Sequence, residues 1–449
     1  MPIDTSGVGL ENKQPGLLAG SITFLVSSLV IYLARFATSI VVARTLGVEG
    51  KGAYTLVLLV GGLLPMFFSL GINSAITYLT AGRKFIASHL FLFSLFSSLF
   101  LGILGGILFY LAFYGFLSRS FLEGIGNWEI YLVILVLPIN LITLFLSSII
   151  FGKQQLSAYN LVNVSRVISN LALQIISSVN QGGVPGAILA WFFSNLIALL
   201  VTLWFLRHDY PSQIFYPRPI TSPVLSFGVK SYFANLLNLF NYRLDSFLVN
   251  YYSGPGNVGL YSVSVSAAEL IWYMPNAISS ALFPKSSTLE RQQAAKLTAL
   301  ACRQTLLVSS LLTLLFALAG PLFIPFIYGV AFQDSVPAFL WLLPGIFSLS
   351  LSKIISANLS GAGKPQYATY TSGITLGVTI GLDVALIPYF GINGAAIASS
   401  IAYIASAILA VSWFYKETQI PWKEVIFPKI TDLTDLVNQT INLLGVYKR

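Results

Sequence analysis

The stretch from Leu225 to Pro284 reads LSFGVKSYFANLLNLFNYRLDSFLVNYYSGPGNVGLYSVSVSAAELIWYMPNAISSALFP. It predicts two apolar helices joined by a Gly-Pro-Gly-Asn turn, each long enough for the roughly 20 residues that cross a bilayer. Arg243, Asp245 and Glu269 lie inside these helices. Because a charge at mid-membrane costs about 2.5–3.5 kcal/mol, each of the three needs a partner, a water-filled cavity or a function.

The first of these helices also carries a polar face. A helix that faced only lipid would not carry such a stripe, so this face meets protein or water. Arg243 is two positions from Asp245, so the two side chains point in different directions and cannot form a local ion pair. At 100° per residue, five side chains fall within about 80° of arc, namely Ser231, Asn235, Asn238, Tyr242 and Asp245.

The composition of the whole chain is that of a polytopic membrane protein. Of 449 residues, 56% are hydrophobic and 9% are charged, whereas soluble domains carry about 25% charged residues. Cys302 is the only cysteine, which excludes an internal disulfide and a thiolate metal cluster. His89 and His208 belong to no ligand-spaced motif, and the sequence contains no Gly-rich phosphate loop. We therefore expect neither a cofactor nor a metal site.

Twelve apolar segments follow one another along the chain and are joined by short connections. One set of loops carries fifteen Lys and Arg residues and the opposite set carries three, so the positive-inside rule places both termini in the cytoplasm. The net charge of +9 then lies on short loops at the membrane surface, and no nucleic-acid partner is required. The approximate spans are 17–44, 53–81, 86–114, 128–151, 156–179, 184–206, 225–250, 257–283, 297–328, 336–359, 366–388 and 391–415.

The second half of the chain repeats three motifs of the first half, in the same order and at offsets of 207, 208 and 211 residues. Together these matches predict two homologous halves of six helices each. An even number of helices gives both halves one orientation, related by an axis along the membrane normal, and transporters of that kind hold substrate between the halves. The motifs pair Gly47–Tyr54 with Gly254–Tyr261, Gly183–Ala190 with Gly391–Ala398, and Gly152 with Gly363.

Two arginines are equivalent in this repeat. Arg35 lies twelve residues before Gly47, and Arg243 lies eleven residues before Gly254. Two arginines near a pseudo-twofold axis would give a central cavity a positive electrostatic potential. Arg35 also belongs to a polar helix face, which supports the same interpretation.

Four intramembrane cations are candidates for such a cavity, because a cation at that depth is expensive to keep there without a function. The rival interpretation for each of them is a buried ion pair with one of three acids as its counter-ion. The cations are Arg35, Arg166, Arg243 and Lys353, and the acids are Asp245, Glu269 and Asp383.

Four stretches of the chain resemble the polysaccharide biosynthesis or oligosaccharide flippase family of the Wzx type. They are VVARTLGVEGKGAYTLVLLV (41–60), RLDSFLVNYYSGPGNVGLYSVSVSAAE (243–269), SGAGKPQYAT (360–369) and IPYFGINGAAIASSIAY (387–403). The resemblance covers roughly residues 15–416. It implies the superfamily that also contains multidrug and toxin extruders and lipid II flippases, in which two six-helix lobes form a V.

The fold class implied is therefore all-α, with about twelve transmembrane helices in two homologous lobes. We expect a cytoplasmic N-terminal segment (1–16), a first lobe (17–206), a cytoplasmic linker (207–224), a second lobe (225–416) and a cytoplasmic amphipathic tail (417–449).

The resemblance also implies a function. Its Wzx-type members move undecaprenyl-diphosphate-linked oligosaccharide from the inner to the outer leaflet of the bacterial cytoplasmic membrane, for surface polysaccharide biosynthesis by alternating access. The family's cavity cations map by position onto Arg35 and Arg243, and then onto Arg166 and Lys353. Expected partners are the polyprenyl-diphosphate-linked glycan, membrane lipid, and a polysaccharide polymerase or other assembly proteins.

Other functions are weighed against this one. A cation-coupled multidrug extruder would use Asp245, Glu269 or Asp383 to bind H⁺ or Na⁺, but the basic excess within the membrane argues against cationic substrates. A lipid II flippase usually has two further C-terminal helices, where this chain has a polar tail. An enzyme is not expected, because the longest loop on the outer side, about Gly115–Asn127, is too short for a catalytic domain. Whether the three acids titrate during transport or are static counter-ions stays open.

Overall fold

The computed structural model describes residues 17–82, 87–117, 121–209, 221–429 and 432, and every regular element in these ranges is helical. The N-terminal segment 1–16, residues 210–220 of the expected linker and residues 433–449 of the expected tail lie outside the described residues. The α-helices are α1 (Leu17–Phe68), α2 (Ile72–Ala81), α3 (Ala87–Ala112), α4 (Asn127–Gly152), α5 (Leu156–Val179), α6 (Gly183–Phe205), α7 (Thr221–Ala268), α8 (Tyr273–Thr288), α9 (Arg291–Tyr328), α10 (Ser335–Gly361), α11 (Gln366–Thr418) and α12 (Trp422–Ile426).

Three of these helices are hairpins that reverse at a glycine. Gly47 in α1 has φ 68° and ψ −170°, Gly254 in α7 has φ 79° and ψ 173°, and Gly391 in α11 has φ 53° and ψ −132°. Glycine adopts such positive φ values without the steric penalty that a side chain would bring. The three hairpins therefore reverse at one end of the helix bundle, which we call the glycine-turn end; the opposite end is the terminal end.

Contacts across each glycine demonstrate the reversal. If α1, α7 and α11 were straight, a rise of 1.5 Å per residue would separate the contacting residues by about 18, 24 and 69 Å. The contacts join Lys51 Nζ to Ser39 Oγ at 3.0 Å, Tyr261 Oη to Asp245 Oδ2 at 2.6 Å, and the stacked rings of Tyr367 and Trp413 at 5.0 Å between centroids.

The twelve predicted segments are present in the described ranges. Seven helices are long and apolar enough to span a membrane, and two of them, α1 and α11, hold two segments each because they are hairpins. Helix α5 and the two arms of α7 supply the others. Helix α2 continues the second arm of α1 after a short break, and α8 continues the second arm of α7.

The exterior of the bundle carries apolar side chains at helical spacing. Along α9, Leu311, Leu315, Leu318 and Leu322 are 67%, 54%, 71% and 79% exposed. A continuous apolar stripe of this kind is an aggregation liability in water but is the surface that hydrocarbon solvates. The structure is therefore that of an all-α polytopic membrane protein, as the composition predicts.

The helices form two lobes that meet along α1 and α7. Helices α1 to α6 pack on one another, α7 to α11 pack on one another, and the main contact between the two groups joins α1 to α7. The two glycines Gly47 and Gly254 share one backbone conformation, and Gly183 and Gly391 have φ values of 59° and 53°. Two of the three sequence matches thus coincide with matching backbone geometry.

The third sequence match needs a correction of two residues. After α4, the N–H groups of residues 153, 154 and 155 donate to the carbonyls of 149, 151 and 150. After α10, the N–H groups of residues 362, 363 and 364 donate in the same pattern to 358, 360 and 359. Gly363 (φ 79°) therefore corresponds to Gln154 (φ 61°), with an offset of 209 rather than 211. The sequence match pairs identical residues, Gly152 with Gly363, whereas the repeated backbone feature is the position with a positive φ.

The lobe interface follows the pseudo-twofold axis that the repeat predicts. A Cβ atom on Gly52 would lie 1.8 Å from the carbonyl oxygen of Pro255, and a Cβ atom on Gly259 would lie 2.2 Å from that of Val48. The two contacts are the same contact displaced by 207 residues. Only glycine permits this approach of the backbones, which gives a physical reason for the pattern G-x4-G-x-Y that Gly47–Tyr54 and Gly254–Tyr261 share. The equivalent hydroxyls of Thr55 and Ser262 face each other at 3.4 Å, next to the axis.

Candidate functional site

The structure brings three of the predicted cations together across the lobe interface. Arg35 of the first lobe is close enough to Arg243 and Glu269 of the second lobe to interact with them electrostatically. Arg166 of α5 interacts in the same way with Arg35. At 1.5 Å per residue, Arg35 and Arg243 lie about 18 and 16 Å along their helices from the glycine turns, which is mid-depth in a 30 Å hydrocarbon layer.

This group of cations keeps an excess of positive charge. Arg243 Nη1 lies 3.2 Å from Glu269 Oε1, so the ion-pair interpretation describes Arg243. Arg35 and Arg166 form no ion pair within the described part of the chain. Arg243 is compensated by Glu269 and also interacts electrostatically with Asp245. Because Arg35 and Arg166 are unpaired among the described residues, positive charge stays in excess at this depth and would attract an anion that enters between the lobes.

The arginine group is accessible to water. Arg35 is exposed although it lies in the middle of a membrane-spanning arm, and the side chain of Arg243 is 37% exposed. Arg166 is partly buried, and its Nε has no hydrogen-bond partner among the described residues. An exposed guanidinium at this depth must face a wet space between the lobes, because hydrocarbon would not solvate it.

Lys353, the fourth predicted cation, lies in an aromatic box in the second lobe. Its Nζ lies 4.4 Å from the ring centroid of Trp272 and 5.4 Å from that of Tyr242. The ammonium donates to Asn276 Oδ1 at 3.1 Å, and Asn276 Nδ2 donates across the lobe interface to Tyr32 Oη at 2.9 Å. Stacking of this kind holds a cation in place and leaves its other N–H groups free to bind a ligand.

Sequence reasoning missed Trp272 and Asn276 as site residues. They stand on the 3₁₀ turn Glu269–Trp272 and at the start of α8, where the helical pattern breaks. The signal was the run ELIWYMPN (269–276), in which an acid, aromatics and an asparagine interrupt an apolar segment. That run predicts a polar break but does not show which cation it receives.

A polar cavity of about 130 Å³ lies beside Lys353. Hydroxyl and amide groups dominate its wall, and two tyrosine rings supply flat apolar faces. Such a wall can bind polyols through hydrogen bonds and ring stacking. The lining residues are Asn241, Tyr242, Leu349, Ser352, Lys353, Ser356, Ala368, Thr371, Ser372, Thr375, Tyr403 and Ser406.

Asp245 and Asp383 form a separate buried pair inside the second lobe. Asp245 is 4% exposed, and its Oδ2 accepts a hydrogen bond from Tyr261 Oη at 2.6 Å. The backbone N–H of Ser246 donates to Oδ1 at 2.6 Å, and Ser399 Oγ lies 3.4 Å from Oδ2. Asp383 is fully buried near Asp245, and neither of its oxygens has a partner among the described residues.

Two carboxylates buried near each other repel and lose the solvation that they would have in water, so the pair is costly when both are charged. A row of threonines leads from the cavity toward Asp383. Thr371, Thr375 and Thr379 precede it at intervals of four residues on α11, all are buried, and the first two line the cavity. Of the three predicted acids, the structure thus pairs Glu269 with a cation and places Asp245 and Asp383 together.

Comparisons with known proteins agree with the fold. The family model described as "Polysaccharide biosynthesis protein" matches residues 17–290. The "Putative O-antigen transporter" of Shigella flexneri is 24% identical over 397 residues, which cover 83% of this chain and 91% of that protein. The "Probable flippase AglR" of Haloferax volcanii is 28% identical over 192 residues, which cover 39% of this chain and 38% of that protein.

Solved structures of multidrug resistance MATE family transporters of the MOP superfamily share the fold. An inward-facing structure superposes with a TM-score of 0.67 at 18% identity, over 89% of this chain and 98% of that chain. An outward-facing structure gives a TM-score of 0.62 at 19% identity, over 89% of this chain and 94% of that chain. At this level of identity the likeness concerns the fold alone.

Proposed function

The chain belongs to the polysaccharide biosynthesis protein family, and from this premise we propose that it flips a polyprenyl-diphosphate-linked oligosaccharide from the inner to the outer leaflet by alternating access. It is a membrane transporter of the flippase type in the MOP superfamily. The single observation that supports this cargo most directly is the arginine group between the lobes, in which Arg35 and Arg166 have no ion-pair partner among the described residues.

The diphosphate presents the largest barrier to flipping, because this charged group must cross about 30 Å of hydrocarbon. Arginine suits this group, since a guanidinium stays charged at any physiological pH and forms paired hydrogen bonds to phosphate oxygens. We assign Arg35 and Arg166 as direct phosphate ligands. Arg243 shares its charge with Glu269, so we expect it to bind phosphate when the cargo displaces that carboxylate.

The sugars and the polyprenyl chain of the proposed cargo would occupy different regions from the diphosphate. We propose that the sugars occupy the wet space between the lobes and the cavity beside Lys353, whose hydroxyl groups and tyrosine rings match a polyol. The polyprenyl chain stays in lipid throughout, because it has no reason to leave hydrocarbon. Lys353 lies between the two regions and is proposed as a fourth contact to the diphosphate or to an acidic sugar.

The orientation and the surroundings of the protein belong to the same proposal. Both termini lie in the cytoplasm of a bacterial cell, the first lobe is residues 17–206 and the second is residues 225–416. A polysaccharide polymerase or another assembly protein would receive the cargo on the outer side. The multidrug extruder alternative is disfavoured because an excess of arginine repels cationic drugs.

We further propose that transport is coupled to H⁺ or Na⁺ through Asp245 and Asp383. The pair is buried, one of its carboxylates has no partner among the described residues, and a row of threonines joins it to the cavity. Glu269 is proposed as a counter-ion rather than a coupling group, since Arg243 already compensates its charge.

The test begins with lipid analysis of cells that lack the protein, which identifies the glycan as the lipid-linked oligosaccharide that accumulates on the cytoplasmic side. Purified protein in liposomes is then assayed for flipping of that lipid. We expect Arg35→Ala with Arg243→Ala to lower the rate by at least about a hundredfold, since each charge-assisted hydrogen bond is worth about 1.5–3 kcal/mol.

The matched control is Arg207→Ala, which removes an exposed arginine that stacks on Trp204 away from the lobe interface. This variant should flip the lipid at the wild-type rate. Full activity of the double variant would reject the site, and an unchanged lipid pool in the deletion strain together with no flipping by the wild-type protein would reject the cargo.

A further inference from the structure

Lys51 is a buried cation that the proposed site does not include. Lys51 is 5% exposed and lies in the second arm of α1, although it is one of the three basic residues that the positive-inside count assigns to the outer loops. Its ammonium donates one hydrogen bond, to Ser39 Oγ at 3.0 Å, and forms no ion pair with any carboxylate that the structure describes. A buried ammonium with one neutral partner is costly, and its position therefore calls for an explanation.

The location of this ammonium relates it to the arginine group. Ser39 follows Arg35 by four residues, so the two side chains lie on the same face of α1 about one helical turn, or roughly 6 Å, apart. Lys51 reaches Ser39 from the second arm of the same hairpin. Its charge thus lies about one turn from Arg35, on the side toward the glycine-turn end.

The second lobe covers this position. The ring of Phe36 in α1 stacks on Phe323 of α9, with centroids 6.3 Å apart, and meets Tyr328 edge-on at 6.0 Å. Tyr328 also approaches Ser39, the partner of Lys51. Arg44 Nε donates across the same interface to the carbonyl oxygen of Ile327 at 2.6 Å. All these contacts join one lobe to the other, so they must break if the lobes part at the glycine-turn end.

We propose that Lys51 is a second binding position for the diphosphate, covered while the glycine-turn end is closed and uncovered when it opens. This inference rests on the proposed flippase function. When α9 moves away, the two N–H groups of the ammonium that do not donate to Ser39 become accessible beside the outward path, one turn beyond Arg35. The diphosphate passes from the arginine group to Lys51 and from there to water. The positive charge of Lys51 is what this step requires, since lysine binds phosphate as a point charge rather than by a paired contact.

The first test asks whether opening uncovers the position. Lys51→Cys is treated with a membrane-impermeant thiol reagent, with and without Arg44→Ala, which removes the interlobe hydrogen bonds of Arg44. We call the hydrogen bonds from Arg44 to the end of α9 the Arg44 latch, and we expect labelling to rise at least about threefold when this latch is removed, since a population shift of that size needs less than 1 kcal/mol. Cys302, which is buried in the second lobe, is the internal control and should stay unlabelled. Equal labelling with and without the latch would overturn the inference.

The second test measures flipping and binding separately. The probe is a fluorescent polyprenyl-diphosphate disaccharide, and the variants are Lys51→Met, which keeps the length of the side chain, and Lys51→Arg, which keeps its charge. We expect Lys51→Met to flip the probe at least about tenfold more slowly, which corresponds to loss of one charge-assisted contact. Its affinity for the closed protein should stay within about twofold, because Lys51 is covered in that state. Lys51→Arg should restore flipping.

The outcomes separate this inference from the proposed function. Wild-type flipping by Lys51→Met, or a loss of affinity in the closed state as large as the loss of rate, overturns the role of Lys51 and leaves the flippase proposal standing. Failure of the wild-type protein to bind or flip any polyprenyl diphosphate overturns both. A Lys51→Met variant with an unchanged melting temperature and Lys51→Arg with normal flipping exclude a folding defect as the cause.

Discussion

Two of the charged residues inside this bundle pair with residues that lie far away in the sequence. Arg243 is two residues from Asp245, yet it pairs with Glu269, which is 26 residues distant. Asp245 is held instead by Tyr261 from the other arm of the same hairpin. The 100° step between helix positions explains the outcome, because it turns neighbours that are two apart onto different faces. These two charges are therefore understood only with their partners from beyond the glycine turn of the hairpin.

Asp383 provides the residue-scale prediction. Asp383→Asn keeps the shape of the side chain but cannot hold a negative charge, so it should remove the response of flipping to an imposed H⁺ or Na⁺ gradient. Binding of the lipid and exchange without a gradient should persist, since the arginine group is untouched. The measurement is flipping in liposomes with and without each gradient.

Asp334→Asn is the matched control, because Asp334 is an exposed carboxylate near the start of α10 at the glycine-turn end. Its gradient response should equal that of the wild type. If Asp383→Asn still responds to the gradients, the buried carboxylate pair is structural and the coupling proposal is wrong.

At the scale of elements, the segment that follows α11, which contains α12 and Asp432, is bound to the second lobe. Val425 of α12 is buried in the apolar core that also contains Cys302. Arg303 of α9 holds Asp432 through two hydrogen bonds, Nε to Oδ2 at 2.6 Å and Nη2 to Oδ1 at 2.9 Å. A third donor, Nη1, binds the carbonyl oxygen of Glu424 at 2.6 Å. One guanidinium therefore anchors both ends of this C-terminal segment.

This anchor should depend on pH. The Arg303 guanidinium beside Asp432 holds the pKa of that carboxyl below its usual value of 3.8. A lowered folded-state pKa adds stability that is present above the unfolded value and is lost as the pH falls through the folded value. The protection factors for hydrogen exchange of residues 420–429, which correct for the intrinsic pH dependence of exchange, should thus be high at neutral pH and fall as the pH drops below about 4.

At neutral pH, Asp432→Asn should raise the same exchange by about tenfold or more, because it removes a charge-assisted, two-point contact. Glu424→Gln is the control, since only the backbone oxygen of Glu424 takes part in the anchor. Equal exchange in Asp432→Asn and the wild type would show that α12 is held by apolar packing alone.

At the scale of the whole molecule, two related latches close the glycine-turn end. Arg44 of the first lobe binds the end of α9 in the second lobe. In the second lobe, Asn250 Nδ2 donates to the carbonyl oxygen of Phe121 at 2.9 Å, and the ring of Tyr251 stacks on Phe121 at 5.0 Å. Arg44 and Tyr251 are 207 residues apart, so the latches repeat each other across the pseudo-twofold axis. The proposed alternating access requires both to open.

Cross-linking tests that requirement. A short thiol–thiol cross-linker between Asn250→Cys and Phe121→Cys should hold the glycine-turn end closed and stop flipping in liposomes, while binding of the lipid from the terminal end persists. A cleavable linker should restore flipping when it is reduced, and each single-cysteine variant treated in the same way should stay active. Normal flipping by the fully cross-linked protein would mean that the lobes do not part at this end.

Several properties of this protein follow from the sequence alone. The low share of charged residues and the length of the apolar segments determine an all-α membrane protein, because hydrocarbon cannot solvate exposed backbone or charge. The motifs at offsets of 207 and 208 residues determine the two lobes, and Gly52 and Gly259 could be named before any contact was known. The free-energy cost of placing a charge inside the membrane also identified the four candidate cations and the three candidate acids from the sequence.

Tertiary structure alone decided how those residues are combined. It paired Glu269 with Arg243, placed Asp383 near Asp245, brought Lys51 to Ser39, and moved the third repeat match by two residues. The physical reason is the range of the forces involved. The free-energy cost of burying a charge or bending a helix depends on neighbouring residues, so it can be recognised in the sequence. The partner that compensates a buried charge is set by the segment that packs against it, which only the tertiary structure determines.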